Sequence, residues 1–166
     1  MQSIFEELVE RHFSFLMHEY GFSITEKTSY PGENISQGKI VYTSRITQAE
    51  KNSKQAIIRV LLDRGYLDVD IGSPDLHTKD YFSLHEITRT VAPDVDLDFS
   101  LDYSKSAKEI LEPQAEKLSN IVALYGKPFL NGDFSIGELI IKARNDERER
   151  RIQGWKEEKR QKGMMS

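Results

Sequence analysis

Residues 55–72, QAIIRVLLDRGYLDVDIG, constrain the fold more tightly than any other stretch of the chain. Two runs of alternating, largely β-branched and aliphatic residues flank DRGY, which reads as a hairpin turn. With Leu62 opposite Leu67, Val60 meets Val69 and Ile58 meets Ile71, and one face becomes wholly aliphatic. A slip by one residue would set that aliphatic face against Tyr66, Asp68 and Asp70, so the pattern specifies a single register. The other face places Arg59 against Asp70, a cross-strand ion pair worth roughly 0.2–1 kcal/mol. FSITEKT (22–28) and GKIVYTSRI (38–46) share the period of two and extend the hairpin into an antiparallel meander.

Helix starts are marked by four matches to S-x-x-E: Ser3 with Glu6, Ser83 with Glu86, Ser106 with Glu109, and Ser135 with Glu138. In a capping box the serine hydroxyl accepts from the third helical amide and the glutamate reaches back to the serine amide. Downstream of Ser3, Phe5, Leu8, Val9, Leu16 and Tyr20 predict one helix over 4–20, ended by Gly21. A short helix is predicted over Leu84–Val91, with Phe82 and Ile87 as a hydrophobic staple and Pro93 beyond its end. Ile110, Leu111, Leu118, Ile121, Val122 and Tyr125 predict helix up to Gly126. Pro113, which cannot donate a backbone hydrogen bond, is expected to start a new helix within that span. The last helix begins near Ser135, with Ile136, Leu139 and Ile140 assigned to the core.

The fold class is therefore α+β: an N-terminal helix, an antiparallel meander of four to five strands, and C-terminal helices packed on one face of the sheet. Residues 1–143 are expected to form a single domain and 144–166 a charged helical extension. The fifth strand is expected at DVDLDFSLD, residues 94–102, where Val95, Leu97, Phe99 and Leu101 alternate with Asp94, Asp96, Asp98, Ser100 and Asp102. An edge position suits it, because charge there discourages pairing with other chains. It does not suit a calcium loop, since the glycine and glutamate that such a loop needs are Phe99 and Lys105.

Charge is divided unevenly along the chain. Residues 142–162 hold nine Lys/Arg against five Asp/Glu, a net +4, while residues 1–141 hold 14 against 22, a net −8. Carboxylates two apart on one extended face lie roughly 6–7 Å apart and repel one another. Their arrangement becomes favourable when a cation approaches, so Asp94, Asp96, Asp98 and Asp102 are the candidate docking residues for a basic protein partner. In the tail, Asp146 with Arg150 and Glu147 with Arg151 are acid-first pairs that support a helix, which is expected to fray after Gly154. Ile152 and Trp155, the single tryptophan, stand beside Arg151 and form a second candidate contact, with the body, another macromolecule or a second copy in a homodimer. Interspersed glutamates disfavour nucleic acid as the tail's partner.

Cysteine is absent, which excludes disulfide frameworks, thiolate zinc sites and cysteine nucleophiles. MQSIFEELVERHF lacks the basic flank and apolar block of a signal peptide, and no window is apolar enough to span a membrane, so a cytoplasmic protein without membrane contact is expected. GENISQGKI (32–40) has five residues between its glycines and Ile40 after the lysine, and so fails as a phosphate loop. No catalytic, cofactor-binding or metal-ligating residue is assigned. The sequence points to a small interaction module whose acidic body binds and regulates or neutralises a basic partner, as an immunity protein neutralises a toxin. The alternatives are a metal-dependent hydrolase using Asp68, Asp70, His77 and Asp80, and a nucleic-acid or ribosome accessory protein acting through its tail.

Overall fold

A computed structural model of the chain describes residues 2–45 and 54–164. It forms two compact units, Met1–Phe134 and Ser135–Ser166. Ile46, the last residue of the stretch expected to form the second strand, lies outside the described residues.

The first unit opens with α1 (Ile4–His12) and the single turn α2 (Phe15–His18). Five strands follow: β1 (Ser23–Ser29), β2 (Gln37–Thr43), β3 (Ile57–Asp63), β4 (Tyr66–Gly72) and the two-residue β5 (Phe82–Ser83). They form an antiparallel sheet in the order β1-β2-β3-β4-β5. Then come α3 (Leu84–Val91), α4 (Ala107–Tyr125) and the short α5 (Lys127–Leu130). The protein is an α+β fold.

The β3–β4 register is the one that the aliphatic pattern requires, with Leu62 paired to Leu67, Val60 to Val69 and Ile58 to Ile71. Its turn has Arg64 at φ 48° and Gly65 at φ 85°, the two left-handed residues whose twist matches that of the strands they join. β2 continues the face with Ile40 and Tyr42. Phe5, Leu8, Val9 and Phe13 from the N-terminal segment and Leu111, Ala115, Leu118 and Val122 from α4 are buried with these strand residues in the core. The Phe5 ring lies so close to Gly38 that a Cβ there would come within 2.6 Å of it, so only glycine fits.

Three local expectations are corrected. The helix expected over 4–20 breaks at Phe13–Ser14, where Leu16 N–H bonds Phe13 C=O and Met17 N–H bonds Ser14 C=O. These i→i+3 bonds tighten the turn, so that Phe13 and Leu16, three apart, share one buried side. Gly21 closes the segment as expected, at φ 71°, and Phe22 N–H reaches back to Leu16 C=O. Pro113 does not start a helix but lies inside α4. The carbonyl that it leaves without a helical donor belongs to Glu109, and both residues are exposed, so water can satisfy that group. The stretch 94–102 joins no strand; the fifth strand is Phe82–Ser83, which pairs with Ile71 and Asp70.

Of the four expected capping boxes, the complete one forms at Ser83, Ser3 and Ser106 form the serine half, and Ser135 is itself the first residue of its helix. At Ser83 both reciprocal bonds form, α3 spans Leu84–Val91, and Phe82 and Ile87 are buried as a staple. Ser3 and Ser106 accept from Glu6 and Glu109 N–H.

Because β5 covers only Asp70 and Ile71, the outer edge of β4 near the turn has no strand against it. Gln114, 1% exposed on α4, takes that place. Its Oε1 accepts Leu67 N–H at 2.9 Å, and its Nε2 donates to Gly65 C=O at 2.8 Å and Ile110 C=O at 3.0 Å. Replacing Gln114 with Leu orphans a buried N–H and a buried carbonyl, each costing about 1–3 kcal/mol. Urea unfolding of Gln114→Leu should therefore show a loss of about 2–4 kcal/mol, and a loss below about 0.5 kcal/mol would mean that the clasp does not hold the edge.

The second unit is a single helix, α6 (Ser135–Met164), of 30 residues. It runs through Gly154 instead of fraying there. Ile140 is buried, whereas Leu139, expected in the core, is 59% exposed.

Candidate functional site

Residues 94–102 keep the alternation read from the sequence but not the strand. Leu97 is buried and Val95, Phe99 and Leu101 are half-buried, while Asp94, Asp96, Asp98, Ser100 and Asp102 are exposed. The inward side chains are pinned at several points. Lys117 Nζ lies 5.5 Å above the Phe99 ring. At the β3–β4 turn, Leu101 and Tyr103 close over Gly65, where a Cβ would meet them at 3.3 and 3.2 Å. The Tyr103 hydroxyl donates to Arg64 C=O at 2.6 Å.

The aspartates also explain why no ladder forms. An Asp96 carboxylate oxygen accepts Asp98 N–H at 2.8 Å, and one of Asp102 accepts Ser104 N–H at 3.0 Å and Ser104 Oγ at 2.6 Å. Side chains that take the amide two residues on turn the backbone toward local bonding and away from a sheet partner. The hydrogen bonds from Ser104 hold the Asp102 carboxyl below its usual range, so it stays ionised over a wider span of pH. The result is a row of carboxylates presented to solvent from a segment anchored along its other side.

A second polar group occupies the open face of the sheet. Glu26, Val41, Arg59, Asp70 and Ser83 pair in one row across all five strands. Arg59 grips Asp70 with two parallel bonds, Nε to Oδ1 at 2.7 Å and Nη2 to Oδ2 at 2.5 Å. Its Cζ sits 4.7 Å from the centroid of the Tyr81 ring, which lies across Gly72. Burial raises the Asp70 pKa, opposed by the hydrogen bonds from Arg59, while the bond to Asp70 raises that of Arg59. Burial also raises Asp68, with His85 opposing. The two bonds occupy one lone pair on each Asp70 oxygen and share its charge with Arg59, which makes the carboxylate a weaker metal ligand or base than a free one. Among the described residues no group of three His, Asp or Glu side chains is placed to hold a metal ion.

Of the tail residues, Ile152 is 44% and Trp155 58% exposed, with Lys159 Nζ 4.2 Å above the indole ring. Arg151 pairs with Glu147 at 2.7 Å. The pairing of Arg59 with Tyr81 and the clasp of Gln114 escaped the sequence reading. The staple at Phe82 hinted that the chain beside Tyr81 returns to the core, but no pattern connects Gln114 with Leu67, 47 residues away.

No family model, curated protein or solved structure matches the chain. No helix among the described residues is long and apolar enough to cross a membrane.

Changing Arg59 to Met strands the half-buried Asp70 carboxylate and should cost about 1–3 kcal/mol at neutral pH. The sign of the pH dependence follows from the raised Asp70 pKa. Ionised Asp70 opposes folding above its folded-state value, and that opposition fades as the pH falls and the group protonates. Urea midpoints of wild type and Arg59→Met should converge between pH 7 and pH 4; a gap that widens on acidification would contradict this assignment.

Proposed function

We propose that this protein is a small interaction module whose acidic segment, Asp94 to Asp102, docks a basic protein partner and regulates or neutralises it in the cytoplasm. The observation that supports this reading is the anchoring of the segment. Asp94, Asp96, Asp98 and Asp102 face solvent, while Leu97, Phe99, Leu101 and Tyr103 hold the chain beneath them. An exposed row of like charges adds little to the fold, since each carboxylate repels its neighbours. Its ordering carries an advantage for binding: a partner's Lys and Arg side chains meet charges already in place, so less conformational entropy is lost on docking. The net −8 of residues 1–141 adds a long-range attraction that speeds encounter and weakens with salt.

This reading ranks above a metal-dependent hydrolase because Asp70, one of the four residues such a site would use, is engaged by Arg59. The test is affinity capture from native lysate with the full chain, comparing wild type with Asp94, Asp96, Asp98 and Asp102 all changed to Asn. Wild type should retain a basic protein, its hold weakening at least tenfold between about 50 and 300 mM salt as surface charges are screened. The variant should fold and lose that protein. Identical capture by both would assign the carboxylates to solvation alone.

A further inference from the structure

The continuity of α6 through Gly154 changes how its charges are distributed. Along the sequence, acids and bases alternate between Asp146 and Lys162. On an unbroken helix each residue advances about 100°, and the charges then separate. A sector about 140° wide holds Ile141, Arg148, Arg151, Ile152, Trp155, Lys156, Lys159 and Lys162. Every carboxylate between Ile141 and Lys162 falls outside it: Asp146, Glu147, Glu149, Glu157 and Glu158. Trp155 and Ile152 therefore stand, exposed, in the middle of a cationic face. The acid-first bond from Glu147 to Arg151 helps to hold the helix.

The back of the helix limits what can cover this face. In the major groove of a nucleic acid, phosphates flank a helix on both sides, and Glu149 and Glu158, just beyond the sector edges, would be pressed against them. A lipid surface would gain burial from only Ile141, Ile152 and Trp155. What fits is a narrow acidic strip that meets one side of the helix and offers some apolar surface. The chain carries such a strip itself. Arg148 to Lys162 spans about 21 Å of helix, a length that the nine residues Asp94 to Asp102 can match, since they would reach at most about 30 Å fully extended, and Phe99 and Leu101 beside the acids are only partly buried.

The geometry points to a second copy of this chain as the occupant: the cationic Trp155 face of α6 in one copy docks on the Asp94–Asp102 segment of another. The inference rests on the docking reading above and assigns the basic surface that meets the carboxylates to the cationic face of α6, since the chain as a whole carries a net −4. Two such contacts made reciprocally close a dimer, with Trp155 as its apolar anchor and the cations as its register.

Sedimentation velocity on the full chain tests it, from about 1 to 200 μM protein in about 50 and 300 mM salt. Wild type should dimerise as concentration rises and dissociate in the higher salt. Lys156→Glu with Lys159→Glu should weaken the dimer at least tenfold. Arg150→Glu with Arg160→Glu, an equal charge change outside the sector, should leave it intact, and Trp155→Ala gives a second disruption without any change of charge. Asp96→Lys with Asp98→Lys should be monomeric alone yet form a heterodimer with the Lys156→Glu, Lys159→Glu chain. A wild-type monomer throughout overturns the inference, as does equal disruption from either side of the helix, or a monomer that binds duplex DNA or anionic vesicles through Trp155. Such a monomer that still retains a basic protein through its four aspartates overturns only the self-docking. A monomer that retains none overturns both readings.

Discussion

The pairing of β3 with β4 in one register determines which residues every other part of the first unit can meet. It turns Ile58, Val60, Leu62, Leu67, Val69 and Ile71 to one side, where α1 and α4 cover them, and Arg59 with Asp70 to the other. A strand whose side chains alternate cannot shift by one residue without exchanging its two faces. The cost of such a shift is counted in whole buried side chains, at about 1.5–3 kcal/mol each. Gln114 reinforces the register from outside the sheet, since its amide bonds to Leu67 and Gly65 are satisfied only when the turn falls at Arg64–Gly65.

The same turn supports the acidic segment. Tyr103 and Leu101 rest on Gly65, and Tyr103 bonds the carbonyl of Arg64, the residue whose positive φ the hairpin requires. The position of the carboxylates thus depends on the sheet, although no ladder bond joins them to it. The two acidic groups of this unit play opposite parts. Asp70 is half-buried and gripped by Arg59, whereas Asp94, Asp96, Asp98 and Asp102 are exposed, Asp96 and Asp102 accepting local backbone N–H groups. The buried carboxylate is held by a cation within the chain, whereas the exposed ones of the segment face solvent.

How much of this was legible depended on whether the deciding interaction was local. The hairpin register, the left-handed Gly21 and the boundaries of α3 are set by residues within a few positions of one another, and the sequence pattern predicts them. Pro113 escaped because its effect turns on whether the carbonyl of Glu109 faces water, which follows from how α4 packs. The segment 94–102 escaped differently. Alternating burial is common to a strand and to an anchored extended chain, and only the edge of β4, occupied by Phe82, Ser83 and Gln114, separates them. The segregated face of α6 was hidden for a third reason: a helix that frayed at Gly154 would lose the angular relation between Arg148 and Lys159. For the candidate site, the exposure of each aspartate was legible, but its anchoring through Tyr103 and Lys117 was not.

An ordered docking face at Asp94–Asp102 and a merely solvated one would respond differently to a basic ligand. Amide chemical shifts, followed by NMR while a lysine-rich peptide is titrated into the full chain, separate the two. For a docking face, perturbations should concentrate at residues 94–104 and at the β3–β4 turn beneath them, saturate, and disappear in high salt. Shifts spread evenly over acidic positions such as Glu7, Glu19 and Glu116, without saturation, would show that the segment is only solvated.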